Sequence, residues 1–484
     1  MLAQALERVV SSLQSGNLAE AERACRLILA SDPSQVDALH LLGVTLMRTG
    51  RAQAALEPLA RARQLDPTFA DAAYNHAVAL GELERWDEAL AAYDQVLRVD
   101  SANVRSWNNR GNVLQKLERW AEAAASYERA IALRPDHAEA LYNRGLVLLT
   151  LGRAREALAS LERSVAIAPG NGEAQWTKSI AHLLLGEYEE GWRLHEWRWQ
   201  TRQLASFARG FREPLWLGEG RLDGKTILLH ADQGFGDTLQ MARYAPMVEA
   251  LGSKVLLEVP PQLTRLLASV SSTVNVIARG SPLPPFDLHC PLGSLPLAFR
   301  TTLETVPAPG GYLRAEPGDI AAWAQRLGTS ARPRIGIAWS GNPKLQRDAE
   351  RSIPFTTLAT LLDPRFEWHA LQTDFRQGEE EAARVAGMRV WRDELRNFSD
   401  TAALAQNLDL VITVDTSVAH LAGALGRPAW ILVTWMPDYR WMLGRPDTPW
   451  YASARLFRQP AAGDWAATLA EARRALAARF SAAS

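Results

Sequence analysis

Three short stretches of this 484-residue chain hold residue types that could do chemistry together. The first is DLVITVDTSVAHLAGALGRP, residues 409–428. Val411, Ile412 and Val414 suit a buried parallel strand, and Val418, Leu421, Ala422 and Leu425 recur at helical steps behind it. Asp415, Thr416 and Ser417 therefore fall between a strand's carboxyl end and a helix's amino end. Ligands of open α/β sheets bind at such junctions, and helix amino termini favour anions. The same three residue types are also good helix caps. The second stretch is Gln233-Gly234-Phe235-Gly236-Asp237-Thr238, again after an apolar run. Gly234 and Gly236 allow close backbone approach, and the helix that follows offers free amides. Asp237 can take a proton from an acceptor hydroxyl or cap that helix. The third glycine of the dinucleotide fingerprint is missing. The third stretch is Trp339-Ser340-Gly341-Asn342-Pro343-Lys344, in which small residues, a hydroxyl and a lysine can bind a diphosphate. Arg347 and Arg351 lie close by in sequence.

These residues need elements to position them. From Gly224 the chain alternates strands and helices, the βαβ rhythm of a parallel sheet. Thr226–His230, 255–260, VNVIA and FDLHC read as strands, with a helix around 263–266 and another near 318–327. The rhythm restarts at RIGIAWSGNP, continues through FEWHALQ and MRVWRD, and reaches the strand ending at Asp415. A final helix is expected near 464–480. Two similar halves in tandem, each with a loaded loop after its first strand, imply a cleft between them. The segment WMPDYRWMLGRPDTPWY, residues 435–451, is too irregular for strand or helix. Arg440 and Trp441 within it are candidates for a lid over the cleft, or for aromatic packing between domains.

The first 200 residues repeat with a period of 34. Gly43, Gly111 and Gly145 fall in register, with Ala77 in the gap. Ala21, Ala55, Ala89, Ala123 and Ala157 form a second series, and Pro33, Pro67, Pro135 and Pro169 a third. Small residues at fixed points let paired helices approach, and proline ends the second helix of each pair. Five repeats are clear and a sixth decays after Gly186. Asn75, Asn109 and Asn143 share the same spacing on the first helices, as a row of amides that can pair with an extended peptide, bond between repeats or face solvent. Trp192, Trp197 and Trp199 carry too much aromatic surface for an exposed helix and are expected to pack the array onto the following domain.

Net charge is −1, so electrostatics give no case for nucleic acid. Cys25 and Cys290 stand far apart, without the spacing of a disulfide framework or a zinc site. No apolar stretch reaches membrane-spanning length, and MLAQALERVV lacks the run of a secretory signal. A cytoplasmic location is the expectation.

D-T-S-x-A-H-L-A-G-A-L-G-R-P resembles the signature of the heptosyltransferase-like glycosyltransferases, and G-F-G-D and I-A-W-S-G-N-P-K resemble the same group's other landmarks. With the repeats attached, the chain resembles bacterial tetratricopeptide-repeat glycosyltransferases, organised like O-GlcNAc transferase. The fold implied is an α-helical TPR superhelix followed by a GT-B pair of Rossmann-like domains. Residues 1–203 would form the repeats, 204–328 the first α/β half, and 329–484 the nucleotide-sugar half. The activity implied is metal-independent transfer of a sugar from a nucleotide donor to serine or threonine of a protein, with flagellin or an adhesin as possible acceptors and no further cofactor. By resemblance, Asp237 would be the base and Lys344 a phosphate ligand. Gly234, Gly236, Ser340, Asn342, Asp415, Thr416, Ser417 and His420 would complete the donor site, although His420 also reads as a packed helix histidine. Asn75, Asn109 and Asn143 would hold the acceptor polypeptide. Two alternatives keep the same fold: transfer to a glycan or lipid-linked saccharide with repeats recruiting a partner, and a scaffold whose transferase region is inactive.

Overall fold

A computed structural model describes residues 2–307, 310–344 and 348–481. Arg347 lies outside the described residues. The chain divides into two compact units, one ending at Ala174 and the other beginning at Gln175.

The first unit is helical. First helices of successive pairs begin at Val36, Ala70, Val104 and Ala138, and second helices at Leu18, Ala52, Trp86, Trp120 and Ala154. The spacing of 34 residues seen in the sequence is thus the spacing of the helix starts. The alanine series is wholly buried. The glycines mark where paired helices come closest. A Cβ on Gly111 would stand 2.5 Å from the Tyr127 ring, and one on Gly145 would stand 2.7 Å from Leu161. Polar staples repeat at the same period. Arg110 reaches Asp94 at 2.7 Å and the Ser126 hydroxyl at 2.7 Å, and Arg144 likewise reaches Glu128 at 2.8 Å and Ser160 at 2.6 Å. Gly111→Val forces two extra carbons and a Cβ into the tyrosine, so it should destabilise this unit by about 1–3 kcal/mol. A lowered urea midpoint against Gly111→Ala would show it.

The second unit carries two parallel sheets. The first holds β1 (Thr226–His230), β2 (Lys254–Val259), β3 (Asn275–Ala278) and β4 (Leu288–Pro291), in the order β3-β2-β1-β4. The second holds β5 (Arg334–Ala338), β6 (Glu367–Ala370), β7 (Arg389–Val390), β8 (Leu410–Val414), β9 (Ala429–Val433) and β10 (Ala454–Arg458), in the order β10-β9-β8-β5-β6-β7. β9 and β10 add to the expected strands. Gly426 and Pro428 end the preceding helix, but AWILV is so short an apolar run that its pattern alone does not tell a buried strand from core helix. In the first sheet the order reverses between β1 and β4, and in the second between β8 and β5. Such switch points open a crevice at the carboxyl ends of the strands.

The helix Pro317–Leu327, placed with the first half by its position in the sequence, packs against the second sheet's surroundings. Trp323 meets Trp391 edge-on at 5.2 Å, and Asn407 donates to the Ile320 carbonyl at 3.0 Å. The sixth repeat's second helix, Tyr188–His195, also belongs to this unit. Trp192 is buried against Tyr188, His195, Tyr439 and Trp450, and the Tyr188 hydroxyl accepts from the Trp450 indole at 3.0 Å. Trp199 is half-buried beneath the Arg198 guanidinium, and Trp197 is half-buried beside it in the chain.

Candidate functional site

Each sheet sends one loaded loop toward the other. After β1 the chain passes through Asp232 and enters the helix Phe235–Met241. After β8 it turns at Asp415 and Thr416 into the helix Ser417–Ala424. The two helices pack directly. A Cβ on Gly236 would stand 2.6 Å from the His420 ring, so glycine is what lets the first helix meet the second. Phe235 touches Phe398 edge-on at 5.2 Å beside this contact.

Asp237 performs the cap and also pairs with a loop of the second half. One carboxylate oxygen accepts from the Gly234 amide at 3.0 Å, and the other receives the Arg440 guanidinium. About half of a carboxylate's four acceptor positions remain for another proton donor. Burial pushes its affinity for a proton up, Arg440 opposes this, and Asp438 and Asp232 add to it.

Arg440 and Trp441 do not form an exposed flap. Arg440 is buried in the cleft, with Gln240, Asp438 and Asp237 around its guanidinium. Trp441 is fully buried and stacks on His420 at 5.6 Å. His420 is buried too. Its Nδ1 lies 2.9 Å from the Tyr451 hydroxyl, and burial holds its pKa well below the usual imidazole value, so it is neutral. The bulk of both rings drives them inward, which gives His420 a packing role at the helix contact.

The 340–344 loop meets the Asp415 turn through Arg351, whose Nη1 donates to the Asp415 carbonyl at 3.3 Å. Asp348, itself buried, holds Arg351 at 3.0 Å and Arg376 at 3.1 Å. Gly341 lies over this pair, where a Cβ would come within 2.3 Å of Asp348. Gln372 shapes the loop. Its Oε1 accepts from the Trp339 amide at 2.9 Å, and its Nε2 donates to the Ser340 hydroxyl at 3.0 Å. The Ser340 proton is thereby left to donate elsewhere. Asn342 closes a local turn by accepting the Lys344 amide at 3.0 Å, and Lys344 itself is exposed. Thr416 caps its helix by accepting from Val418, while Ser417 is half-buried at the helix start. Gln372 and Arg376 were not singled out in the sequence, because nothing local marks a residue whose partner lies some 30 positions away, and Asp348 read only as one more charge beside Arg351.

Asp415 is pushed up to about 6 by burial, with Asp438 adding and Arg440, Trp441 and Arg351 opposing. A folded carboxyl that binds its proton more tightly than the unfolded one stabilises the fold at low pH. That contribution is lost as pH rises from about 4 through the folded value. Asp415→Asn should therefore flatten the decline in stability between about pH 4 and pH 6. Urea midpoints across that window check it.

The three asparagines of the repeats are already engaged. Asn75 Nδ2 lies 2.7 Å from His40, Asn109 donates to the Tyr74 hydroxyl at 3.0 Å, and Asn143 donates to Asn112 at 3.1 Å and Asn108 at 3.4 Å. Each binds a side chain of the preceding repeat, so the row acts first as inter-repeat struts. It is half-buried, not fully solvated.

Fold and site together define a tetratricopeptide-repeat protein with a C-terminal α/β region similar to a glycosyltransferase family. Models of the tetratricopeptide repeat match residues 109–172 and 79–118, and that of subunit 3 of the anaphase-promoting complex matches 14–96. The model of glycosyltransferase family 9 (heptosyltransferase) matches residues 394–434, which include the Asp415 turn and His420. Among curated proteins the chain is 30% identical to Protein FlbA of Caulobacter vibrioides over 319 residues, 59% of this chain. The chain spans about half (52%) of that relative's length. Solved structures with likeness include MamA (24% identity, 33% of this chain, 93% of that one, TM-score 0.32). Another is YrrB, titled a TPR protein with an unusual peptide-binding site (21%, 38%, 94%, TM-score 0.34). At such scores the likeness carries no further inference. No helix among the described residues is long and apolar enough to cross a membrane.

Proposed function

We propose that this chain is a metal-independent protein glycosyltransferase of GT-B type. A sugar leaves a nucleotide donor held by the second α/β half and is taken up by a serine or threonine of a polypeptide bound along the repeats. The observation that carries this reading is the convergence of three loops. Gly236 lies on His420, Asp237 pairs with Arg440, and Arg351 links the 340–344 loop to the Asp415 turn.

In this reading Asp237 accepts the acceptor's hydroxyl proton as the oxygen attacks the anomeric carbon. Ser340, Lys344, Thr416 and Ser417 hold the phosphate, helped by the amides of the helix Ser417–Ala424 and by Arg351. Gly234, Gly236 and Asn342 shape the backbone around the donor, and Asp415 fixes the turn. The acceptor would meet the carbonyl oxygens of Asn75 and Asn143, since Asn143 directs both its amide N–H groups to the preceding repeat and the Asn109 oxygen already accepts from Asn108 at 3.4 Å.

Intact mass spectrometry tests the proposal. Flagellin and adhesin candidates co-expressed with the wild-type chain should gain a sugar-sized increment, and with Asp237→Asn should gain little or none. Equal modification by both would remove Asp237 from the reaction, and no increment on any candidate would favour a scaffold.

A further inference from the structure

We propose that Arg440 is the positioning residue for Asp237, fixing the direction of its carboxylate and supplying the charge that offsets its burial. The inference rests on the reading of Asp237 as the group that takes the acceptor's proton.

The geometry gives the relation a direction, because Arg440 is fixed by groups other than Asp237. Its guanidinium lies 4.4 Å above the Tyr439 ring, and Tyr439 is itself buried against Trp192 at 5.4 Å. Nη1 donates to Asp438 at 2.8 Å, and Nε donates to the fully buried Gln240 side chain. The Thr448 hydroxyl holds the Arg440 carbonyl at 2.7 Å. Asp237, by contrast, has the Gly234 amide as its other described hydrogen-bond partner, within its own turn. Gln240 stands one helical turn after Asp237, so a single planar fork reads two side chains on one helix face. The two groups lie 203 positions apart and come from opposite halves of the cleft. The base and the loop that carries its partner are therefore placed together.

The charged and titratable groups facing this pair come from several elements, and His195, Tyr188 and Tyr451 also stand near Arg440. Asp438 shares the loop of Arg440, Asp232 precedes the glycine turn, and Asp415 approaches Arg440 from the end of β8. Tyr439 lies beneath the guanidinium, and the neutral His420 backs Gly236. Asp237, Asp438, Asp232 and Asp415 are all acidic, so removing Arg440 leaves Asp237 among like charges in a poorly solvated place.

The test needs no substrate. Full-length protein carrying aspartate labelled with ¹³C at Cγ is titrated by NMR, and the Asp237 signal is assigned by its absence in Asp237→Asn. Arg440→Gln should raise the Asp237 midpoint by about one unit or more, a tenfold change in proton affinity. Arg440→Lys should raise it by less, because the positive charge is kept, yet should still raise it, because an ammonium cannot hold Gln240, Asp438 and Asp237 at once. A midpoint unchanged in both variants overturns the proposal. Should Arg440→Gln fail to give a cooperative melt, Arg440→Lys decides alone, and an unchanged midpoint there has the same consequence. A residue that only braced the loop would lower the melting temperature without moving the titration. The two readings fail separately: transfer by Asp237→Asn removes the base, whereas an immobile midpoint removes the positioning role.

Discussion

Arg198→Met should cost the second unit about 3–5 kcal/mol of stability, the range found when one partner of a buried ion pair is removed. Arg198 is fully buried and bonds to Asp232 at 3.1 Å, Glu196 at 2.5 Å, Ser294 at 2.7 Å and the His195 carbonyl at 3.3 Å. Asp232 in turn accepts the Gly293 amide at 3.0 Å, which ties the ends of β1 and β4 together at their switch point. Methionine fills the space but strands the Asp232 carboxylate without a counter-charge. Arg198→Lys should fall between the two, since one ammonium cannot reach every partner. Urea unfolding followed by tryptophan fluorescence reads this, with Trp199 lying 4.1 Å under the guanidinium. A loss below about 1 kcal/mol would mean that Asp232 has other compensation.

Asp237→Asn should lower transfer by about 10²–10⁴-fold, the usual worth of a general base. The substitution keeps the shape, and its carbonyl oxygen can still accept from Arg440 or from the Gly234 amide. The fold should therefore persist, which the melting temperature checks alongside the mass readout. An amide does not accept the proton at neutral pH, and that separates chemistry from packing. A loss of transfer accompanied by an equally large loss of folded protein would point to the cap instead.

Much of the architecture was legible because its signals are local. Helix starts recur with the glycine, alanine and proline series, and a strand such as Thr226–His230 announces itself by composition. The three loops were legible for the same reason, since each couples a strand end to small or charged residues within a few positions. Arg440 was visible only as a member of an irregular aromatic loop, and its partner is 203 residues away. Arg198 read as one charge in a tryptophan-rich helix end, yet it holds Asp232 34 residues on and Ser294 96 residues on. Gln372 carries no motif at all. The asparagine row is the opposite case: its period was plain, but the partners at 35 residues' distance that occupy its amides were not.

The sixth repeat is where the solenoid pattern fades in sequence, yet its second helix supplies Trp192 to the seam with Tyr439 and Trp450, and the next turn supplies Arg198. Dissection of the molecule is constrained accordingly. A fragment starting at residue 204 would lack the aromatic backing of the Arg440 loop and the cation beneath the glycine turn. The smallest piece that keeps this seam begins inside the sixth helix pair, so the second helix of that pair goes with the α/β body and not with the array whose period it shares.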